Sequence, residues 1–417
     1  MKYMYQEDIE LEEAYRIIEA STKGITETEE KMLSEADGYV TAEDIKNNFD
    51  VPPFPRSPLD GFAIRSIDTK GATEENPAVF RIIDTEFAGD FCTKTIGAGE
   101  AVRIFTGAPI PKGADCIAWQ EDSVGWDDEN RFRTFENGTE VKIVAEYKPW
   151  ENYSFQGEEI KAGTVVVPKN HRITYIESGV LSSAGIDRVK VYRKPKVGVF
   201  VTGSELMKPG EPLKPGKIYD ANLQFLSVRL KELGYAPEMT GMLPDDSDEV
   251  AKILSEANDR CDLVITSGGV SVGAKDIIHL VLPKINAEKI FWGVRMKPGS
   301  PAIFSMRNGK PMVHLSGNPF AALTTFELLA KEALRKLSHD ETLRNNMIYV
   351  TLGESFSKHR GRRFIRAILE NDELHFPKAE KQTSGNLMSM VGCNCIAELP
   401  PQDHPYEKGD RVRIFLL

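Results

Sequence analysis

The chain has 417 residues, 41% hydrophobic and 28% charged, with a formal net charge of −11. That length exceeds one ordinary core, so about three domains are expected. The acidic balance excludes a general nucleic-acid binder, which needs clustered lysine and arginine, and no apolar run approaches the roughly 20 residues that cross a bilayer. Residues 1–10 are acidic and lack a signal peptide's apolar stretch, which predicts a cytoplasmic protein. The cysteines, Cys92, Cys116, Cys261, Cys393 and Cys395, are odd in number and scattered, so no disulfide framework is expected. Cys393-x-Cys395 lacks a second pair for zinc, while Cys116 and Cys261 sit in apolar runs and read as core. An anionic substrate would have to be held by backbone donors, a metal or a few placed cations.

Ile9, Leu11, Ala14, Ile17 and Ile18 form one stripe and predict a helix over residues 9–20; a second helix is expected over 27–36. Residues 50–66 then carry Pro52, Pro53, Pro55 and Pro58, which forbid a regular helix and fix an extended path. Leu59-Asp60-Gly61 reads as a tight turn, and Asp-Gly is a common turn pair whatever the function. From 78 to about 141 short strands alternate with turns, including Thr106-Gly107-Ala108-Pro109, with an exposed hairpin expected over 126–139. This predicts a β-rich inserted domain. Strands return after 141, where Glu158 and Glu159 share a turn that two solvated glutamates explain more simply than a metal does. A short helix over 173–183 ends at Gly185.

From residue 195 strands and helices alternate, the order of right-handed βαβ units and a mostly parallel sheet. Three apolar strands end in small or hydroxyl-bearing turns. Residues 196–201 run into Thr202-Gly203-Ser204-Glu205, the run from Leu263 into Ser267-Gly268-Gly269-Val270-Ser271 and on to Gly273, and residues 312–315 into Ser316-Gly317-Asn318-Pro319. Glycine lets a backbone approach a ligand and turn its N–H groups inward, and hydroxyls add donors. Open α/β sheets bind ligands beyond the carboxyl ends of their strands. The three turns therefore predict one site for an anion, with neither a Walker A loop nor a G-x-G-x-x-G fingerprint. Taken alone, the 263–276 stretch is equally an ordinary strand-to-helix turn with Asp276 capping a helix over 276–282.

The remaining helices follow their stripes. One after Asp220-Ala221-Asn222 carries Leu223, Leu226, Leu230 and Leu233 and ends at Gly234, and a second carries Val250, Ile253, Leu254 and Ala257 behind Asp246 or Ser247 as cap. Strands are expected over 237–243, 289–294 and 302–305, and a long helix from Pro319 to Leu337, capped by Asn318. Past residue 340 the helical period stops. Short runs at 347–352, 364–369, 373–376, 395–399 and 411–416 predict a separate, barrel-like β domain.

An ordered set of motifs resembles the molybdopterin molybdenumtransferases, the MoeA family to which the C-terminal part of gephyrin is similar. Ser57-Pro58-Leu59-Asp60-Gly61-Phe62-Ala63, the Thr106–Asp115 segment, Thr202-Gly203-Ser204-Glu205-Leu206, Tyr219-Asp220-Ala221-Asn222, Pro244-Asp245-Asp246, the glycine turn ending at Gly273, Met296-Lys297-Pro298-Gly299 and Gly317-Asn318-Pro319 carry it. Each is weak alone; the order is specific. The resemblance implies a homodimer of four-domain subunits: residues 1–48 with 141–178, an inserted 49–140 domain, a molybdopterin-binding α/β domain over 179–338, and a β domain over 339–417. It implies a reaction in which adenylylated molybdopterin and molybdate react with magnesium, the phosphoanhydride opens and AMP leaves.

It also implies roles. Asp60, Glu205, Asp245, Asp276 and Lys297 are the expected catalytic set, with Glu205, Asp245 and Asp276 toward Mg²⁺, which prefers oxygen ligands. Thr106, Gly107, Thr202, Gly203, Asn222, Ser267, Gly268, Gly269, Val270, Ser271, Gly273, Pro298, Gly299, Gly317, Asn318 and Pro319 are the expected substrate contacts. Asp60 is expected to serve the other subunit, and the molybdopterin adenylyltransferase of the preceding step is a candidate partner; no nucleic acid or membrane is expected. The chain departs from the pattern at Ser300, where many members carry a second lysine, at Ser316, where the family has proline, and at Ser154, where it has arginine. Arg362 and Arg366 match a basic motif, and a solvated turn explains them equally well. Two other readings compete: an adenylyltransferase sharing the α/β domain, and a non-catalytic scaffold that binds a pterin or a peptide.

Overall fold

A computed structural model describes residues 5–126, 138–271, 276–357, 360–377 and 383–417. The chain divides into two compact units, one built from Met1–Glu43, Lys169–Thr174 and Arg188–Leu417, the other from Asp44–Pro168 and Tyr175–Asp187. The expected hairpin over 126–139 lies almost wholly outside the described residues.

The first unit holds a seven-stranded sheet in the order Gln6–Ile9, Glu288–Val294, Ile303–Arg307, Lys310–Leu315, Leu263–Ser267, Val197–Thr202, Pro237–Leu243. Neighbours run parallel except on both sides of Ile303–Arg307. That reversal follows from Asn308 and Gly309, both at positive φ (53° and 75°), the turn a two-residue hairpin requires. The strands carry β-branched and aromatic residues. Val197–Thr202 and Leu263–Ser267 are buried throughout, as strands covered on both faces must be.

Helices cover the sheet. Leu11–Ser21 buries Leu11, Ala14, Ile17 and Ile18 of the expected stripe, whereas Ile9 ends the strand before the helix. Asn222–Glu232 and Ser247–Arg260 match their leucine and valine patterns, the second capped by Asp246, whose carboxylate accepts from the N–H of Asp248 and Glu249 at 2.9 Å each. Those two donors hold the Asp246 carboxyl below the usual carboxylate range. The helix from Pro319 runs to Ser338 with a π-helical turn over Phe326–Ala330, nearly all of it buried.

Two expectations are corrected. Residues 27–36 are not a helix: Thr28–Met32 is a strand paired antiparallel with Arg188–Tyr192, followed by a 3₁₀ turn over Leu33–Glu35. Glutamate and lysine give that run helical propensity, but Val189 and Val191 are buried on a partner that needs a ladder, and pairing outweighs a few tenths of a kcal/mol per residue. The helix after the central glycine turn starts at Ile278 with Ile277 at its cap position, so Asp276 precedes the cap.

The end of the chain forms a closed five-stranded barrel of Ile348–Leu352, Glu373–His375, Arg363–Glu370, Cys395–Leu399 and Arg411–Leu416. Its Arg363 strand reaches the 296–300 loop. The N–H of Lys297 donates to the Arg362 carbonyl at 2.9 Å, and that of Phe364 to the Lys297 carbonyl at 2.8 Å.

The second unit centres on a five-stranded sheet in the order Cys116–Trp119, Gly61–Ile64, Glu100–Ile104, Ala78–Glu86, Glu140–Ile143. Phe62, Ile64, Phe80, Ile82 and Ile143 fill its core, and Cys116 is buried among them. The helix Tyr175–Ser183 belongs to this unit.

Candidate active site

A cleft of about 1210 Å³ opens at the carboxyl ends of the Val197–Thr202, Leu263–Ser267 and Lys310–Leu315 strands. It is lined by Thr202, Gly203, Glu205, Asn222, Asp245, Ser267, Gly268, Gly269, Val270, Ser271, Asp276, Lys297, Pro298, Gly299, Gly317, Asn318 and Pro319. Residues separated by more than 100 positions thus share one wall. Gly273 lies outside the described residues. Asp60, Thr106 and Gly107 belong to the second unit.

Hydrogen bonds tie the strand tips together. Asn222 Nδ2 donates to Ser267 Oγ and to the Gly317 carbonyl, both at 2.8 Å, and Ser267 Oγ donates to the Ser316 carbonyl at 2.9 Å. The Gly317 carbonyl can only accept, which fixes the orientation of the Asn222 amide. The N–H of Gly268 donates to the Leu315 carbonyl at 3.0 Å. Gly268 has φ +97°, and a Cβ there would lie 2.3 Å from the Thr202 carbonyl oxygen, so no other residue fits without moving the backbone. The carbonyl of Val270 accepts from the Trp292 indole at 3.0 Å, with His279 Nε2 at 3.3 Å.

The acidic side chains are shaped differently. The Glu205 carboxylate folds back over Gly203, where a Cβ would meet both its oxygens at 2.8 Å. Asp220, which lies within one of the sequence motifs but was not among the expected site residues, also lines the cleft and accepts from the N–H of Asn222 and of Leu223 at 3.1 and 3.2 Å. Burial raises its carboxyl above the usual carboxylate range, and these two bonds partly offset the shift. Among the described residues no three acidic, histidine or cysteine side chains stand close enough to hold a metal. Glu205, Asp245 and Asp276 nevertheless offer oxygen donors around one cleft. Mg²⁺ commonly takes one or two carboxylates and completes its shell with substrate phosphates and water, so the donor set fits that ion.

Lys297 borders this cleft and a second cavity of about 600 Å³, whose rim includes Arg295, Arg360, Arg362 and Arg413 with Glu10, Glu12 and Glu398. Arg362 is not in a solvated turn: it pairs with Glu12 at 2.7 Å and with the buried Glu398. Arg366 is 1% exposed, donates from Nη2 to the Thr383 carbonyl at 2.9 Å and lies 4.5 Å over the Phe320 ring. Together with the N–H of Phe320 donating to the Ser384 carbonyl at 3.0 Å, this brings Ser384, Gly385 and Leu387 to the cleft wall. Sequence reasoning missed those three. A Thr-Ser-Gly-Asn turn carries no signal of its own, and the one clue is Arg366, a cation between Ile365 and Ala367 in the middle of a strand, which needs an acceptor brought to it.

In the second unit Asp60 and Thr106 meet. Asp60 Oδ1 accepts from the Thr106 N–H at 2.8 Å and from Thr106 Oγ1 at 2.7 Å. The N–H of Gly107 donates to the Ser57 carbonyl at 2.8 Å, and that of Ser57 to the Ala108 carbonyl at 2.9 Å, so the two motifs are laced into one structure.

Comparison with known proteins agrees with this architecture. Three family models match in order: the MoeA N-terminal region (domain I and II) over residues 9–185, the probable molybdopterin binding domain over 198–336, and the MoeA C-terminal region (domain IV) over 349–417. A molybdopterin molybdenumtransferase of Staphylococcus epidermidis is 37% identical over 92% of this chain and 90% of its own. One from Staphylococcus aureus is 36% identical over 95% and 92%. The crystal structure of the molybdopterin biosynthesis MoeA protein of Pyrococcus horikoshii OT3 superposes with a TM-score of 0.84 at 31% identity, covering 98% of this chain and 100% of that one. Motif order, sheet topology and full-length similarity agree, and the chain belongs to the molybdopterin molybdenumtransferase (MoeA) family.

Proposed function

We propose that this protein takes adenylylated molybdopterin and molybdate, opens the phosphoanhydride, releases AMP and leaves molybdenum on the pterin's dithiolene. The observation that carries this is the cleft itself: three strand-end turns, five carboxylates including Glu205, Asp245 and Asp276, and one lysine around a single space. The Ser267 hydroxyl and the Gly268 N–H are spent on bracing the turn, so the donors proposed for the diphosphate are those of Gly269 and of the Thr202–Gly203 turn. Lys297 is a point charge for molybdate or a phosphate oxygen. One or two of Glu205, Asp245 and Asp276 would hold Mg²⁺, with phosphate oxygens and water completing its shell, and the ion would neutralise charge developing on the phosphates. Asp60 and Thr106 join the reaction through their motif, and in the homodimer that the resemblance implies they serve the partner copy's cleft. The cytoplasm, where an adenylyltransferase would supply the substrate, is the proposed setting.

The test is purified protein with adenylylated molybdopterin, Mg²⁺ and molybdate. Prompt AMP release supports the proposal. Consumption of ATP with unadenylylated molybdopterin would support an adenylyltransferase instead, and binding without turnover a scaffold. Glu205→Ala and Asp276→Ala are each expected to lower AMP release about 100-fold, on the order of 3 kcal/mol of barrier, with unchanged melting temperature. Full turnover in both variants would show that the acidic set is wrongly assigned.

A further inference from the structure

We propose that Arg103 is a positioning residue for the reaction: a buried guanidinium that clamps the Asp60–Gly61 turn and so presents the Asp60–Thr106 pair. This rests on the assignment of Asp60 above.

Arg103 lies on the Glu100–Ile104 strand directly across from Phe62 and is 0% exposed. Its guanidinium carbon sits over two ring faces, 4.9 Å from the Phe62 centre and 4.7 Å from that of Phe105. Cations bind such faces best when desolvated. Nη1 donates to the Gly61 carbonyl at 2.9 Å, and Nη2 donates to Gln120 Oε1. A guanidinium only donates, so Gln120 must turn its oxygen toward Arg103. Its Nε2 then donates to Glu121 Oε1 at 3.2 Å, and the orientation is fixed. Gln120 returns to the same turn through its N–H, which lies 3.4 Å from the Asp60 carbonyl oxygen.

Asp60 is therefore held on three sides. Thr106 holds the carboxylate, Gln120 approaches its own carbonyl, and Arg103 holds the next carbonyl. Arg103 makes the last of these itself and holds the side chain of the residue that makes the second. Both acceptors of its guanidinium are neutral oxygens, an unusual lodging for a buried charge, since such charges are ordinarily paired. Burial pulls its pKa down to about 10, and the negative charges of Asp60 and Glu121 oppose that pull. A methionine of similar length would fill the space against the two phenylalanine rings without this cost. What methionine would lack is the planar fork that grips Gly61 and Gln120 together.

The experiment is a double-mutant cycle on AMP release, using adenylylated molybdopterin, Mg²⁺ and molybdate, with wild type, R103M, R103K, D60N and D60N/R103M, each also melted. R103M is expected to lose about 30-fold in kcat with KM changed less than about 3-fold, and R103K to recover part of that loss. D60N is expected to lose more. D60N/R103M is expected to fall within about 3-fold of D60N alone, because a residue that acts through Asp60 has nothing left to position. If the double variant instead loses the product of the two single effects, or R103M turns over like wild type, the inference is wrong. Should R103M fail to fold, R103K and D60N/R103K close the same cycle, with non-additive losses supporting the inference and multiplied losses overturning it. Wild-type turnover in D60N would overturn the role of Asp60 itself, a separate result from a failure of Arg103.

Discussion

The turn at Ser267–Ser271 and the turn at Asp60–Gly61 place glycine against a neighbouring main chain for the same steric reason, yet they present acids in opposite ways. At Gly268 an added Cβ would lie 2.3 Å from the Thr202 carbonyl oxygen, and at Gly61 it would lie 2.0 Å from that of Ala118. Beside the first, the Glu205 carboxylate folds back over Gly203 and borders open cleft, and among the described residues it accepts no hydrogen bond. Beside the second, Asp60 is fixed by two donors from Thr106. A carboxylate leaning on a glycine keeps its lone pairs for a cation, whereas one already accepting two hydrogen bonds has a set direction. Glu205 and Asp60 are thus built differently.

The largest expected effect comes from filling both glycines. Gly61→Ala and Gly268→Ala each force backbone to move, and Gly268→Ala also strains a positive φ, so each is expected to cost about 3 kcal/mol or more in urea unfolding. If either is tolerated, the close approach at that turn is not a constraint. A second test uses the floor beneath the Ser267 turn. His314 is wholly buried between Thr266 Oγ1 at 2.8 Å and Ser305 Oγ at 2.9 Å, and burial lowers its pKa to about 3. The unfolded chain then binds more protons than the folded one between about pH 6.5 and pH 3, so this contribution is intact above 6.5 and is lost as pH falls. Wild type is expected to lose about 1–2 kcal/mol more stability than His314→Gln between pH 7 and pH 5. Equal losses would mean that protonation of His314 does not govern stability in that window.

Smaller effects sharpen the contrast between leaning and aimed acids. Gly203→Ala pushes on the flexible end of Glu205 and not on backbone. Turnover is expected to fall about tenfold, near 1.4 kcal/mol, with melting temperature unchanged. Thr106→Val removes one of the two donors on Asp60 and leaves the N–H, for about a fivefold loss in kcat at unchanged KM. A Thr106→Val enzyme as active as wild type would mean that the direction of Asp60 is immaterial.

Much of the cleft is legible in the sequence because its strands are continuous apolar runs and its turns are glycine and hydroxyl residues at their ends. Its far wall is not. Ser384, Gly385 and Leu387 reach it through Phe320 and Arg366, and the Phe320 contact joins segments more than 60 residues apart. The Gln6–Ile9 edge strand gives no signal because Ile9 is its one buried residue, leaving no alternation to read. Thr28–Met32 has the propensity of a helix and becomes a strand only through a partner more than 150 residues away. Asn308-Gly309 is a different case: a strong hairpin signal is present there and explains the one reversed strand inside the sheet.

The two main-chain bonds between Lys297 and the 362–364 segment stitch the barrel to the rim of the cleft, and Ser384 lines the same space. The backbone that carries the lysine is therefore set jointly by sheet and barrel, so a change in the packing of the barrel is felt at Lys297 without any substitution in the cleft.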